Sequence, residues 1–239
     1  IAGSDWSSDV CSSDLFMKRI TFALLTFLFA FASCEQDTEP VYSCNKDANA
    51  WVKKNLTKVQ KMKRSEWQVM EEEYGRAAYN AFTPEQKLRF WEEKIGQTLK
   101  LPWNEKEIAH IHLLKDYIIN HAYIFENREL SNEEKDEFEL FFYEWTKNAQ
   151  QELGWTKKTI GAIAASGYDV EDKQGNIKTT RSKNMSLATM STATESKCHC
   201  NIEHSFCEIW ECQKSNCEDS AHGCGWLLVQ SCNGRCGDI

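Results

Sequence analysis

The residues with the most chemistry in this chain are its cysteines, and their spacing decides what that chemistry is. Eight of the eleven fall within 39 residues, as Cys198-x-Cys200-x6-Cys207-x4-Cys212-x4-Cys217-x6-Cys224-x7-Cys232-x3-Cys236. In an exported chain an even number at this density reads as four disulfides, and spacing alone leaves the pairing open among 105 connectivities. So short a segment needs such bridges. About 40 residues cannot bury enough apolar surface to fold unaided, and each bridge contributes about 2–4 kcal/mol. The rival chemistry is a zinc module that combines these thiolates with His199, His204 or His222. Zinc knuckles and ribbons favour two-residue gaps, whereas the gaps here are one, three, four and longer. The expectation is a disulfide framework, with no metal and no cofactor.

Within the ladder, Gly223-Cys224-Gly225 reads as a turn, Trp226-Leu227-Leu228-Val229 as an apolar strand, and Asn233-Gly234 as a second turn. Phe206, Trp210 and Trp226 are candidate partner-binding residues, because a module this small leaves aromatic rings partly exposed. Their other role is to cover the disulfides. Residues 198–239 carry two basic side chains, Lys214 and Arg235, against six acidic ones, a net charge of −4. That excludes a cationic helix acting directly on anionic lipid, so any action on a cell is expected to pass through a receptor.

The remaining cysteines are Cys11, Cys34 and Cys44. Residues 1–16 match the translation of a common sequencing-adapter oligonucleotide and are expected to be foreign to the natural chain, Cys11 with them. Met17-Lys18-Arg19 and the apolar run Ile20 to Ser33 read as a signal peptide over 17–33, shorter than the ~20 residues of a membrane span. Two processing readings stand. Phe31-Ala32-Ser33-Cys34 resembles a lipobox, which makes Cys34 the acylated N-terminus; Ala30-Phe31-Ala32 fits ordinary signal peptidase. The first is favoured, followed by an acidic tether over 34–47. It predicts an outer-membrane or cell-surface lipoprotein held to the membrane by its lipid. Cys44 is then the unassigned thiol, available to dimerise, to stay buried, or to pair with Cys34 if no lipid is added.

The elements that position the ladder are helical. From Ala48 to Gly167 apolar residues recur at helical spacing, and caps mark the starts: Thr83-Pro84-Glu85-Gln86, Asn104-Glu105-Lys106-Glu107 and Ser131-Asn132-Glu133-Glu134, with Gly154 closing the third helix. Earlier helices are predicted over about Ala48–Met62 and Glu66–Ala81, and a short last one over Lys157–Ala165. Short connections predict antiparallel packing, so residues 48–167 are expected to form a helical bundle. His110 and His112 point to opposite sides of one helix, and His121 lies further along it, so none makes a paired metal site. Glu71-Glu72-Glu73 reads as a solvated helix face. With no phosphate loop, nucleophile elbow or acid–base pair, the expectation is no enzyme and no catalytic residue.

Residues 168–197 change texture. Asp169 to Lys178 fits a small hairpin or loop, and the Ser/Thr-rich stretch Thr179–Lys197 has almost no large apolar residues, which predicts a flexible, protease-accessible linker. The fold class expected is mainly α: an antiparallel helical bundle, a flexible linker and a small disulfide-rich C-terminal module over 198–239. A formal net charge of −8 argues against nucleic-acid binding.

The Cys198-x-Cys200 start, Gly223-Cys224-Gly225 followed by Trp226, and Cys232-Asn233-Gly234 resemble the small cysteine-rich bacteriocin fulvocin C. Tyr42-Ser43-Cys44 with Trp51, and Ala77 to Lys87, resemble the N-terminal region of Bacteroidetes-type bacteriocin fulvocin C-related proteins. The resemblance spans roughly Tyr42 to Cys236 and implies a bacteriocin-type role. The expectation is an exported, bacteriocin-like precursor or tethered antibacterial protein. Its C-terminal peptide, released by cleavage in the linker, acts on competitor bacteria through a receptor. The alternative is a non-toxic surface lipoprotein whose knot binds a protein or glycan.

Overall fold

Local capping chemistry fixes where the helices begin. The computed structural model describes residues 40–43, 45–178, 211–214, 220–232 and 234–237. Helices α1 (Lys46–Val59), α2 (Arg64–Trp67), α3 (Glu72–Asn80), α4 (Pro84–Thr98), α5 (Glu105–Asn120), α6 (Asn132–Leu153) and α7 (Lys157–Ala164) follow one another, so the described chain is mainly α-helical. At the starts of α4, α5 and α6 the hydroxyl or amide oxygen of Thr83, Asn104 and Ser131 accepts from the backbone N–H of the third helical residue. The Gln86, Glu107 or Glu134 side chain accepts in return from the cap's own N–H. Each capping box satisfies two donors that a helix start would otherwise leave unpaired. Gly154 ends α6 at φ 66°.

Two expected helices are redrawn. The first ends at Val59 rather than Met62, and the single helix expected over Glu66–Ala81 is two, α2 and α3, with Gln68–Glu71 between them. Tertiary bonding overrides the continuous helical periodicity here. The Trp67 indole donates to the Gly75 carbonyl at 2.7 Å, folding α2 against α3. The glutamate run marks the new start: Glu71 is the α3 N-cap, and Glu72 and Glu73 lie in its first turn, where the helix dipole favours anions.

Helix α1 packs on α3, α4 on α5, α5 on α6, and α6 on α7. The core these faces share is aromatic. Trp67, Tyr79, Phe82 and Phe90 meet edge to face or tilted at the α2–α4 end, with ring centroids 4.9 to 6.1 Å apart, while Trp103, His110, Trp145 and Trp155 pack together at the other. Gln86 ties α4 to α1 beyond its cap role. Its amide nitrogen donates to Val59 O and Met62 O, both at 2.9 Å, the carbonyls exposed where α1 ends. Capping boxes accept Glu and Gln alike, but here Gln86→Glu removes two buried donations and sets a carboxylate beside two carbonyls. The urea midpoint is expected to fall by the equivalent of about 2–3 kcal/mol with an unchanged slope.

After α7 the chain passes Gly167, where a Cβ would lie 2.6 Å from the Phe90 ring and 2.7 Å from Trp67. Only glycine permits that approach. The hairpin reading of the following residues holds: β1 (Asp169–Val170) pairs antiparallel with β2 (Ile177–Lys178), and β1 packs on α4 and α7. Buried Arg64 anchors this segment, donating twice to Gly167 O and once to the Asp169 carboxylate at 2.7 Å. Buried Lys94 donates to Tyr168 O. The linker expected over Thr179–Lys197 lies outside the described residues.

The last part consists of short strands: β3 (Glu211–Lys214) pairs with β6 (Gly234–Gly237), and β4 (Ser220–Cys224) with β5 (Gln230–Cys232). The strand expected at Trp226–Val229 is instead a 3-10 turn over Trp226–Leu228, with Leu227 and Leu228 at φ 54° and 56°. Left-handed backbone at a leucine costs about 1–2 kcal/mol, so something outside the turn must impose it. Among the described residues no helix is long and apolar enough to cross a membrane.

Candidate functional site

What imposes that backbone is the helical body. Leu227 is fully buried and belongs to the same core as the helices. Its carbonyl accepts two hydrogen bonds, from the Tyr79 hydroxyl at 2.8 Å and from the Trp91 indole at 3.0 Å. The indole also donates to the Tyr79 oxygen at 2.9 Å, which closes a three-membered network of buried polar groups. A carbonyl driven into an aromatic core without partners would cost about 1–3 kcal/mol; with two donors waiting, the seat compensates its desolvation. Burial pushes the Tyr79 hydroxyl far above the usual phenol range, so it stays a donor throughout the physiological range.

The shoulders of the turn are equally specific. Trp226 stacks on Phe142 of α6 with ring centroids 5.0 Å apart and planes 4° from parallel. Gln230 is buried and its side-chain oxygen accepts from the Trp226 N–H at 3.0 Å. That leaves no room on Gly225, which sits at φ 71° and whose added Cβ would overlap the Gln230 amide. Strand β4 runs against α3, and Gly223 lies over Asn80. The Gly-Cys-Gly-Trp sequence is thus a turn shaped to enter the helices.

Beside the seat lies an open groove of about 490 Å³, lined by Phe138, Leu140, Phe142 and Tyr143 of α6 together with Trp226, and edged by Asp136. Leu140 and Tyr143 are 58% and 64% exposed there. Of the three candidate partner-binding aromatics, Trp226 is placed: it is half-buried, it stacks on α6, and it forms one wall of the groove. Phe206 and Trp210 lie outside the described residues. The groove residues of α6 escaped the sequence reading, although adjacent exposed Leu140 and Tyr143 on an otherwise polar helix face are a signal of this kind.

The other predicted positions divide in the same way. Cys34, Cys44, Cys198, Cys200, Cys207 and Cys217 lie outside the described residues. Cys212, Cys224, Cys232 and Cys236 stand on β3, β4, β5 and β6 in turn. The three histidines are apart in function. His110 stacks on Trp145 and exchanges bonds with it, Nε2 donating to Trp145 O and the Trp145 indole to His110 O, both at 3.0 Å; burial lowers its pKa and favours the neutral ring. His121 bonds Tyr117 O and Glu137, and His112 is exposed. Glu107 also has a structural task. Burial opposes its charge, but bonds from Lys173 at 2.6 Å, the Asn104 N–H and the Trp155 indole hold its carboxyl below the usual range. Among the described residues no cluster of three or more His, Cys, Asp or Glu is arranged to hold a metal ion. Neither family models, curated proteins nor solved structures match this chain.

Proposed function

We propose that the chain is an exported, bacteriocin-like protein in which a helical bundle carries a disulfide-rich C-terminal module and holds it in check. The observation behind this reading is the seating of Leu227. In the apolar run Trp226–Val229, Leu227 is buried in the helices while Trp226, Leu228 and Val229 pack partly buried against them, with the backbone of Leu227 and Leu228 in a strained form. A free peptide would expose Trp226, Leu227 and Leu228 and relax that backbone, gaining an apolar tip with which to meet a receptor. On this reading the signal peptide exports the chain, Cys34 anchors it by lipid, and release of the C-terminal peptide takes two separate steps, cleavage between Thr179 and Lys197 and then unseating from the helices, which cleavage alone does not bring about. The test is growth inhibition of related strains. The oxidised 198–239 peptide should inhibit and the intact chain should not; absence of inhibition by the peptide across a broad panel of strains would reject a killing role.

A second reading is favoured by the groove. Its walls come from α6 and from Trp226 together, so it exists only while the turn is seated. This supports an uncleaved surface lipoprotein that binds a protein or glycan between the two parts. An intact mature protein on cells, with no C-terminal peptide in the medium, is the outcome that selects it.

A further inference from the structure

We propose that Cys212 and Cys236 form one of the disulfides, closing the chain at the base of the seated turn. The inference rests on the reading of the ladder as oxidised and goes beyond it by naming a pair. Strands β3 and β6 are antiparallel with four consecutive partners and no shift: Glu211 with Gly237, Cys212 with Cys236, Gln213 with Arg235, Lys214 with Gly234. Residues directly opposed in such a ladder have Cα atoms about 4.5 or 5.5 Å apart, according to the type of pair. A disulfide spans Cα separations of about 4.4–6.8 Å, so the register suits a bridge in either case. Opposed residues also share a face of the ladder, and a slip by one residue would set Cys212 against Arg235 or Gly237 instead.

The other ladder opposes no second pair of cysteines. Cys232 stands opposite Ser220 and Cys224 opposite Gln230, with a register irregularity between. Neither has a cysteine as its partner. Assigning Cys212–Cys236 leaves six cysteines and reduces 105 connectivities to 15. Formation of the bond removes two protons and two electrons from the two thiols. A disulfide of the exporting compartment accepts them and leaves as two thiols, by exchange through a mixed disulfide. The closed loop contains Trp226–Gln230, so the turn is held at its base by the bridge and at its tip by Tyr79 and Trp91.

Peptide mapping of the full-length protein, secreted through an oxidising compartment and alkylated before digestion, tests this directly. Trypsin cuts after Lys214 and Arg235 and a glutamyl endopeptidase after Glu211, which isolates Cys212-Gln213-Lys214 from the peptide beginning at Cys236. The expected result is these two peptides joined by a bond that reduction releases. Joining of the Cys236 peptide to the one carrying Cys217, Cys224 or Cys232 would overturn the pairing while leaving an oxidised ladder. All eight cysteines recovered alkylated would overturn the oxidised ladder as well. Variants give an independent reading: Cys212→Ser should add one alkylatable thiol, at Cys236, and C212S/C236S none. Two added thiols in the double variant would contradict the bridge.

Discussion

Leu227→Asp is expected to unseat the cysteine-rich segment while leaving the helices folded. Leu227 is fully buried in the core it shares with the helices, so the charge of an aspartate there costs several kcal/mol if it stays. Leaving is the cheaper response, because the turn also sheds the strain of two left-handed leucines. Hydrogen exchange reads the change. In the wild type the amides of Leu228 and Val229 are bonded to Gly225 O and Trp226 O, inside a turn pinned by Tyr79 and Trp91. The variant should exchange there about 100-fold faster, the equivalent of roughly 3 kcal/mol, with little change in α4 and α5. Unchanged exchange across Gly223–Gln230 would mean that the burial of Leu227 contributes little to holding the segment.

The second large effect concerns a buried charge beside the Tyr79 ring. Lys87 is 2% exposed; its ammonium lies 5.7 Å from the centre of the Tyr79 ring and reaches Asn127 at 3.3 Å. Burial without a carboxylate lowers its pKa from 10.5 to about 8. Above pH 8 the folded chain has released this proton while the unfolded chain keeps it up to about pH 10.5, so the unfolded state binds more protons and stability rises with pH across that window. Lys87→Met has no such rise. Between pH 7 and pH 10 the wild type should therefore gain about 2–3 kcal/mol relative to the variant, and at pH 7 the variant should be the more stable. Urea unfolding at pH 7, 8, 9 and 10 checks this. The range stops at 10 because unfolded-state tyrosines ionise above it while burial keeps Tyr79 and Tyr117 protonated, which reverses the slope. Parallel profiles for the two proteins would refute the assignment.

These two positions also mark the boundary of what the sequence makes legible. Helix starts are local chemistry: a Thr, Asn or Ser and the Gln or Glu three residues on are enough to place α4, α5 and α6, and Gly154 is enough to end α6. The break between α2 and α3 is not local. Trp67, Met70 and Tyr74 continue a helical stripe, and the interruption is made by an indole reaching the Gly75 carbonyl. The seat is less legible still, since Leu227 lies 148 residues from Tyr79 and 136 from Trp91. Composition made Trp226–Val229 look like a strand, because four apolar residues between turn signals have no other local interpretation. Two leucines at positive φ exist only because a distant pair of donors and an aromatic core hold them. Trp226 was legible as a residue of interest from its type and surroundings. Its partner Phe142 was legible only as core.

Cutting the chain once between Thr179 and Lys197, at an inserted protease site, tests the holding of the C-terminal segment most directly. Native size-exclusion chromatography followed by intact mass then shows which pieces travel together. The cut wild type is expected to elute as one species containing both fragments and not to inhibit growth, whereas the cut Leu227→Asp chain should separate and release the C-terminal fragment. A cut wild type whose C-terminal fragment elutes alone would contradict the claim that the helices hold it.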